Sequence, residues 1–273
     1  MRALLALLLA FLSSSAFALA TVEKTDYILD QTPYPFLALE AGKSQFALEL
    51  DQKQSAGGYE SPSGNNSRIR GGSLRWTYAF CDHFALGAHL GLGFGERTVD
   101  SSFAQTFSSE KFKTYPIGVH AVFDGFDRSW RFRLPVFAAY TYNWVRGDFS
   151  LIDVPNSTHQ VGSYSGSSPQ LEAGVSPQAN FGAVRVALLY AFLKNLAPSF
   201  TSSYENRDLA SDQPYAGGTA ALKGNADVFT ALLGVEVGVP DWGVSVGWSQ
   251  LSVDFNQQSA GNGIWKLKWS KSF

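Results

Sequence analysis

A single cysteine, Cys81, excludes any disulfide within the chain. Beyond residues 3–12 there is no apolar run of the ~20 residues that a membrane-crossing helix requires. Lys, Arg, Glu or Gly interrupts every candidate. A net charge of −2 and the lack of a polybasic run argue against nucleic acid as a partner, and against a contiguous anionic-lipid anchor. What the chain does have is aromatic residues, at 14%, including seven Trp. All seven fall in stretches that alternate strictly in polarity.

The N-terminal segment has the form of an export signal. Met1-Arg2 precedes the apolar run Ala3–Leu12, a serine cluster and Ala18-Leu19-Ala20. This predicts a secretory signal peptide over residues 1–20, cleaved before Thr21. A Thr there, not a Cys, argues against a lipoprotein anchor. Residues 21–35, broken by Pro33-Tyr34-Pro35, are expected to be a periplasmic lead-in, and residues 36–273 one β-domain.

The C-terminal stretch Gly263–Phe273 separates into two surfaces. Trp265, Leu267, Trp269 and Phe273 share one face, and Lys266, Lys268, Ser270 and Ser272 the other, with Lys271 out of phase. Period-2 alternation of this kind is a strand with one apolar and one wet face. The pattern recurs upstream. Residues 36–51 are expected to form a first strand, with Phe46, Leu48 and Leu50 on one face and Gly42 as a bulge or the true start. Leu74, Trp76, Tyr78 and Phe80 meet the turn Cys81-Asp82-His83 and return as Phe84, Leu86, Ala88, Leu90, Leu92 and Phe94. Further pairs run over residues 115–123 with 130–142, 171–179 with 184–192, and 229–239 with 242–248. That gives about ten strands, with eight or twelve as alternatives. Short turns alternate with segments that lack periodicity and are expected to be loops: 52–67, 96–110, 145–168 and 194–226.

An aromatic terminal strand ending in Phe, an even strand number and long connections on one side only resemble the bacterial outer-membrane β-barrel proteins. The resemblance implies an all-β, antiparallel, up-and-down transmembrane barrel in the outer membrane of a Gram-negative cell. The barrel-assembly machinery would recognise Trp265, Leu267, Trp269 and Phe273, and outer-membrane lipid would surround the wall. Aromatic girdles are expected from Phe80, Phe84, Trp130, Trp242 and Trp269 near the short turns, and from Tyr140, Tyr142, Trp144 and Trp265 near the long loops.

Opposite the aromatic face lie Glu49, Arg75, Arg131, Arg133, Glu172, Arg185, Glu236, Lys266 and Lys268, the expected charged lining of the lumen. The four arginines are expected to reach across to Glu49, Glu172 and Glu236, plugging the barrel or leaving a narrow path. Chemistry-bearing groups are sparse. His89 and His120 point inward on neighbouring strands, Cys81-Asp82-His83 is a turn, and His159 is expected alone in a loop. No cofactor or metal is implied. The sequence therefore favours a non-enzymatic barrel, either structural or a narrow passive pore for small solutes. The alternative is a barrel whose long external loops bind a partner, and a hydrolase comes third.

Overall fold

The computed structural model describes residues 40–56, 63–101, 105–126, 130–196, 198–223, 229–239, 242–252 and 263–273. The expected signal peptide and lead-in lie outside the described residues. Fourteen strands follow in order: β1 (Ser44–Ala56), β2 (Ser63–Cys81), β3 (Phe84–Ser101), β4 (Thr106–Asp124), β5 (Phe132–Arg133), β6 (Pro135–Asp153) and β7 (Thr158–Val175). After them come β8 (Gln178–Asn180), β9 (Arg185–Asn195), β10 (Ser199–Asp208), β11 (Pro214–Lys223), β12 (Phe229–Val239), β13 (Val244–Ser252) and β14 (Gly263–Ser272). All pairings are antiparallel.

Ten of these strands form a closed ring, β1-β2-β3-β4-β6-β7-β9-β12-β13-β14, in which β14 pairs back onto β1 from Gln45↔Ser272 to Gln54↔Gly263. Closure leaves the ring without an edge, which is how a sheet satisfies its backbone in lipid. The terminal Phe273 amide donates to Ser44 O, and the Ser44 amide to Phe273 O, so the two ends of the barrel chain are stitched together. Gly42, at φ +78°, turns the backbone just ahead of β1, which begins at Ser44; residues 36–39 of the expected first strand lie outside the described residues. β5 and β8 are short continuations of β6 and β7. At the break in β7 the Ser176 amide donates to Pro135 O and Pro177 O accepts from the Leu188 amide, so Pro177 sits at an irregularity where its missing N–H is not needed.

The expected loops are largely sheet. β2 to β7 extend well into residues 63–67, 96–101, 106–110, 145–153 and 158–168, and residues 194–226 contain the β10–β11 hairpin, which pairs with the upper half of β7. The lower half of β7 pairs with β9. The chain there shows no period because both faces leave the bilayer: with water outside, no apolar face is selected. One side of the barrel therefore rises as a tall wall of β2, β3, β4, β6, β7, β10 and β11. β9 and β12 to β14 are only 9 to 11 residues long.

The exterior is apolar over a band of defined height. Leu74, Trp76, Phe84, Leu86, Leu90, Leu92, Ile117, Val119, Val136, Leu188, Val235, Val246 and Leu267 are all exposed. On β3 the outward apolar run goes from Phe84 to Phe94. Ten steps of about 3.4 Å at a tilt of roughly 40° rise about 26 Å, matching the ~25 Å apolar band of a membrane barrel. A soluble protein would have no use for such a surface. The chain is a transmembrane β-barrel of the outer-membrane type.

Candidate functional site

The strand register winds inward-facing residues into oblique rows, because a closed barrel is sheared. One row is apolar and climbs from Ala79 through Ala85, Val122, Phe137, Gly174 and Ala191 to Leu232. The next runs Thr77, Gly87, His120, Ala139, Glu172 and Leu193. A third runs Ala47, Arg75, His89, Gly118, Thr141 and Gln170. Glu49 faces Lys268 and Asp51 faces Lys266 across the β1–β14 seam.

These groups are packed together. Glu49 is 0% exposed, Arg75 and Lys268 2%. Arg75 Nε donates to Glu49 Oε1 at 2.8 Å, and Ser73 Oγ donates to Glu49 Oε2 at 3.3 Å. Ser245 donates to the buried Glu236 carboxylate, and Lys268 and Lys266 place positive charge beside it. His89 and His120 are brought together, their rings stacked with centroids 6.1 Å apart. Each contacts a hydroxyl through Nε2: His120 that of Thr77 at 2.8 Å, His89 that of Thr141 at 3.0 Å. Each ring also lies over the glycine directly opposite it on the neighbouring strand, His120 over Gly87 and His89 over Gly118.

The expected arginine network is corrected. Of the four, Arg75 reaches an expected carboxylate, Glu49, at 2.8 Å. Arg133 pairs with Asp124 at 2.6 Å near the short turns, too far along the strand to meet Glu49. Arg131 is exposed, its guanidinium 5.1 Å from the centroid of the Phe181 ring, outside the interior altogether. Arg185 is half-buried beside Arg133. Residues of like phase share a face, but the height of each along its own strand decides what it can touch.

The aromatic residues expected in the girdles, Phe80, Phe84, Trp130, Tyr140, Tyr142, Trp144, Trp242, Trp265 and Trp269, are all exposed on the outer surface. The out-of-phase Lys271 is exposed there too, its ammonium over the Phe273 ring at 5.4 Å. In the turn, Cys81 is exposed, Asp82 accepts from the Ala41 amide and His83 Nδ1 donates to Asp124 O, so the last two serve as ties between strand ends.

His159 is the other correction. It lies in β7, not in a loop, with Nδ1 3.5 Å from Asp212 and Nε2 3.0 Å from Ser150 Oγ. Nothing in the residue order signals this, because the three residues meet only through the β6–β7 ladder and the β10–β11 turn. The arrangement mimics a nucleophile, base and orienting carboxylate, but Asp212 is shared with Arg207 at 3.2 Å. β6 and β7 are also paired on both sides at this height, so their amides are committed to the ladder and none is spare for an oxyanion. In the adjoining turn, Ser211 and the Ala210 amide hold the Asp208 carboxyl below its usual range, and Glu205 and Asp212 hold the Arg207 guanidinium above its own. Among the described residues no cluster of three or more His, Cys, Asp and Glu could hold a metal ion.

No protein-family model matches the chain, and no curated protein does. Among solved structures it is similar to the translocator domain of the autotransporter NalP from Neisseria meningitidis, at 14% identity over 86% of this chain and 89% of that one, with a TM-score of 0.49. It is similar to the outer membrane protease OmpT from Escherichia coli, at 9% identity over 84% and 94%, TM-score 0.49. A third is Ail, the attachment invasion locus protein of Yersinia pestis, at 15% identity over 85% and 99%, TM-score 0.32.

Proposed function

We propose that this chain is a non-enzymatic outer-membrane barrel closed by its own side chains, and that it acts as a rigid stand for the tall β-wall beyond its rim. The observation that carries the reading is the near-zero exposure of polar and charged groups at the middle of the interior: Glu49, Arg75, His89, His120 and Lys268 are all 2% exposed or less. A water-filled path would leave such groups wet, since hydration is what makes an unburied charge cheap. Ten strands enclose little more than the eight that side chains just fill. The test is planar-bilayer conductance of the refolded chain, with folding verified by its altered electrophoretic mobility when unheated. Silence is expected. Discrete current steps proportional to salt would overturn the closed interior and restore the narrow passive pore.

A second reading, binding of an external partner, is favoured by the β10–β11 hairpin. β11 pairs on one side only among the described residues, and Tyr215 on it is 60% exposed. Main-chain groups on such an edge can take an added strand. Deleting residues 199–223 from cells displaying the protein would abolish binding of that kind and leave the ring intact. A hydrolase built on Ser150 comes third. Labelling of Ser150 by a fluorophosphonate, lost in Ser150→Ala, would be needed to revive it.

A further inference from the structure

Above the aromatic band the outward face changes character in a single step on three neighbouring strands. On β3 the outward residue after Phe94 is Glu96, on β4 the one after Tyr115 is Lys113, and on β6 the one after Trp144 is Arg146. The register aligns this transition into two cross-strand rows. The upper row reads Arg68, Glu96, Lys111, Asp148, with charges that alternate and cancel. The lower row reads Gln52, Arg70, Phe94, Lys113, Arg146, Ser165, Thr201. It carries three cations and no carboxylate, in a chain whose net charge is −2.

The three cations are exposed, and two of them are held at the membrane edge by aromatic rings. Lys113 Nζ stands 5.9 Å from the Phe94 centroid and Arg146 Cζ 5.3 Å from that of Trp144. Stacking of this kind fixes the height of the charged head without neutralising it. Both rows open onto one surface depression of about 920 Å³, lined also by Tyr115 and the hydroxyls of Ser163, Ser165 and Thr201. From Arg70 to Arg146 the row crosses three strand spacings, about 14 Å, wide enough to face more than one phosphate.

We propose that this row is a binding site for the phosphorylated headgroup of an outer-leaflet lipid. The anion would be met by Arg70, Lys113 and Arg146 just above Phe94, Tyr115 and Trp144, while the acyl chains lie along the apolar band below. Charge complementarity and height select the occupant. A row of cations one residue above the last lipid-facing aromatics stands where the headgroups of the bilayer stand, and each such residue strengthens attachment to an anionic lipid surface. The polar side chains of Ser165 and Thr201 extend the row as hydrogen-bond donors to phosphate oxygens.

The test is native mass spectrometry of the folded chain in neutral detergent, titrated with a bis-phosphorylated glycolipid, its dephosphorylated counterpart or phosphatidylcholine. Tight adducts are expected with the phosphorylated lipid alone. The combined variant Arg70→Gln, Lys113→Gln, Arg146→Gln should bind it roughly 100-fold more weakly, and each single variant about fivefold more weakly. A variant losing as much charge at the opposite end, Lys43→Gln, Arg131→Gln, Lys271→Gln, should bind as the parent does. Equal binding by the lower-row variant and the parent, or equal binding of the dephosphorylated lipid, would overturn the proposal. So would displacement of the lipid by inorganic phosphate at comparable concentration, which would make the row a free-anion site. The singles keep the question open to measurement if the combined variant does not refold.

Discussion

Arg75 and Glu49 form an ion pair at the centre of the barrel, Nε to Oε1 2.8 Å, with side chains 2% and 0% exposed. Glu49 also faces Lys268 across the seam where the last strand closes on the first. One carboxylate thus stands between two buried cations, on the pairing that makes the sheet a ring.

Removing that carboxylate should be worse than removing one cation. Glu49→Gln leaves Arg75 and Lys268 facing each other without it. Arg75→Met leaves Glu49 with Lys268 still opposite. Breaking a buried pair costs roughly 3–5 kcal/mol. Urea titration of the unheated electrophoretic form should therefore give a lower midpoint for Glu49→Gln than for Arg75→Met, and both below the parent. Equal stability of all three would show that the centre is hydrated.

The histidine pair depends on two missing side chains. A Cβ on Gly87 would stand 2.5 Å from the His120 ring and 2.2 Å from Trp76 O; one on Gly118 would stand 2.6 Å from the His89 ring and 2.3 Å from Tyr140 O. Backbone oxygens cannot step aside as a flexible chain end can. Gly87→Ala and Gly118→Ala should each lose about 1–3 kcal/mol or more to overpacking. Gly247→Ala, where the nearest atom would be 3.6 Å away, should be close to neutral in the same urea titration.

Lipid exposure predicts a dependence on height. Leu90, 56% exposed in the middle of the apolar band, should lose roughly 2–4 kcal/mol when replaced by Arg. Phe107, 44% exposed on β4 well above Tyr115, should accept Arg at about 0–1 kcal/mol. Folding into phosphatidylcholine vesicles measures both. Equal penalties would mean that the band does not sit in hydrocarbon.

Two neighbouring arginines should behave differently. Arg133 is largely buried on Asp124, so Arg133→Ala strands a carboxylate and should cost on the order of 3 kcal/mol. Arg131 rests on the exposed face of Phe181, so Arg131→Ala should cost no more than about 1 kcal/mol. Their order in thermal loss of the folded electrophoretic form checks the assignment.

Much of the barrel was legible in the chain. The phase of Leu74, Trp76 and Phe80 against Arg75 and Thr77 was readable because lipid and a packed interior impose opposite demands on alternate residues. The strands of the tall wall were not legible: residues 145–153 and 158–168 face water outside, so nothing selects an apolar face, and Gly, Ser and Asn there read as loop. His159 was misplaced for that reason. Among the candidate interior groups, Glu49, Arg75, Glu236 and Lys268 could be named, but not which cation would meet which carboxylate.

The sequence by itself determined a closed, lipid-facing, antiparallel sheet of about ten strands, because period-2 alternation and a terminal aromatic strand leave few other ways to satisfy a backbone in hydrocarbon. Only the tertiary structure decided which residues meet. The shear of the ring slides each strand along its neighbour, so contact depends on height as well as on phase. That sliding gave Glu49 to Arg75 and Lys268, denied it Arg131 and Arg133, stacked His89 on His120, and drew Arg70, Lys113 and Arg146 from three separate strands into one row at the membrane edge.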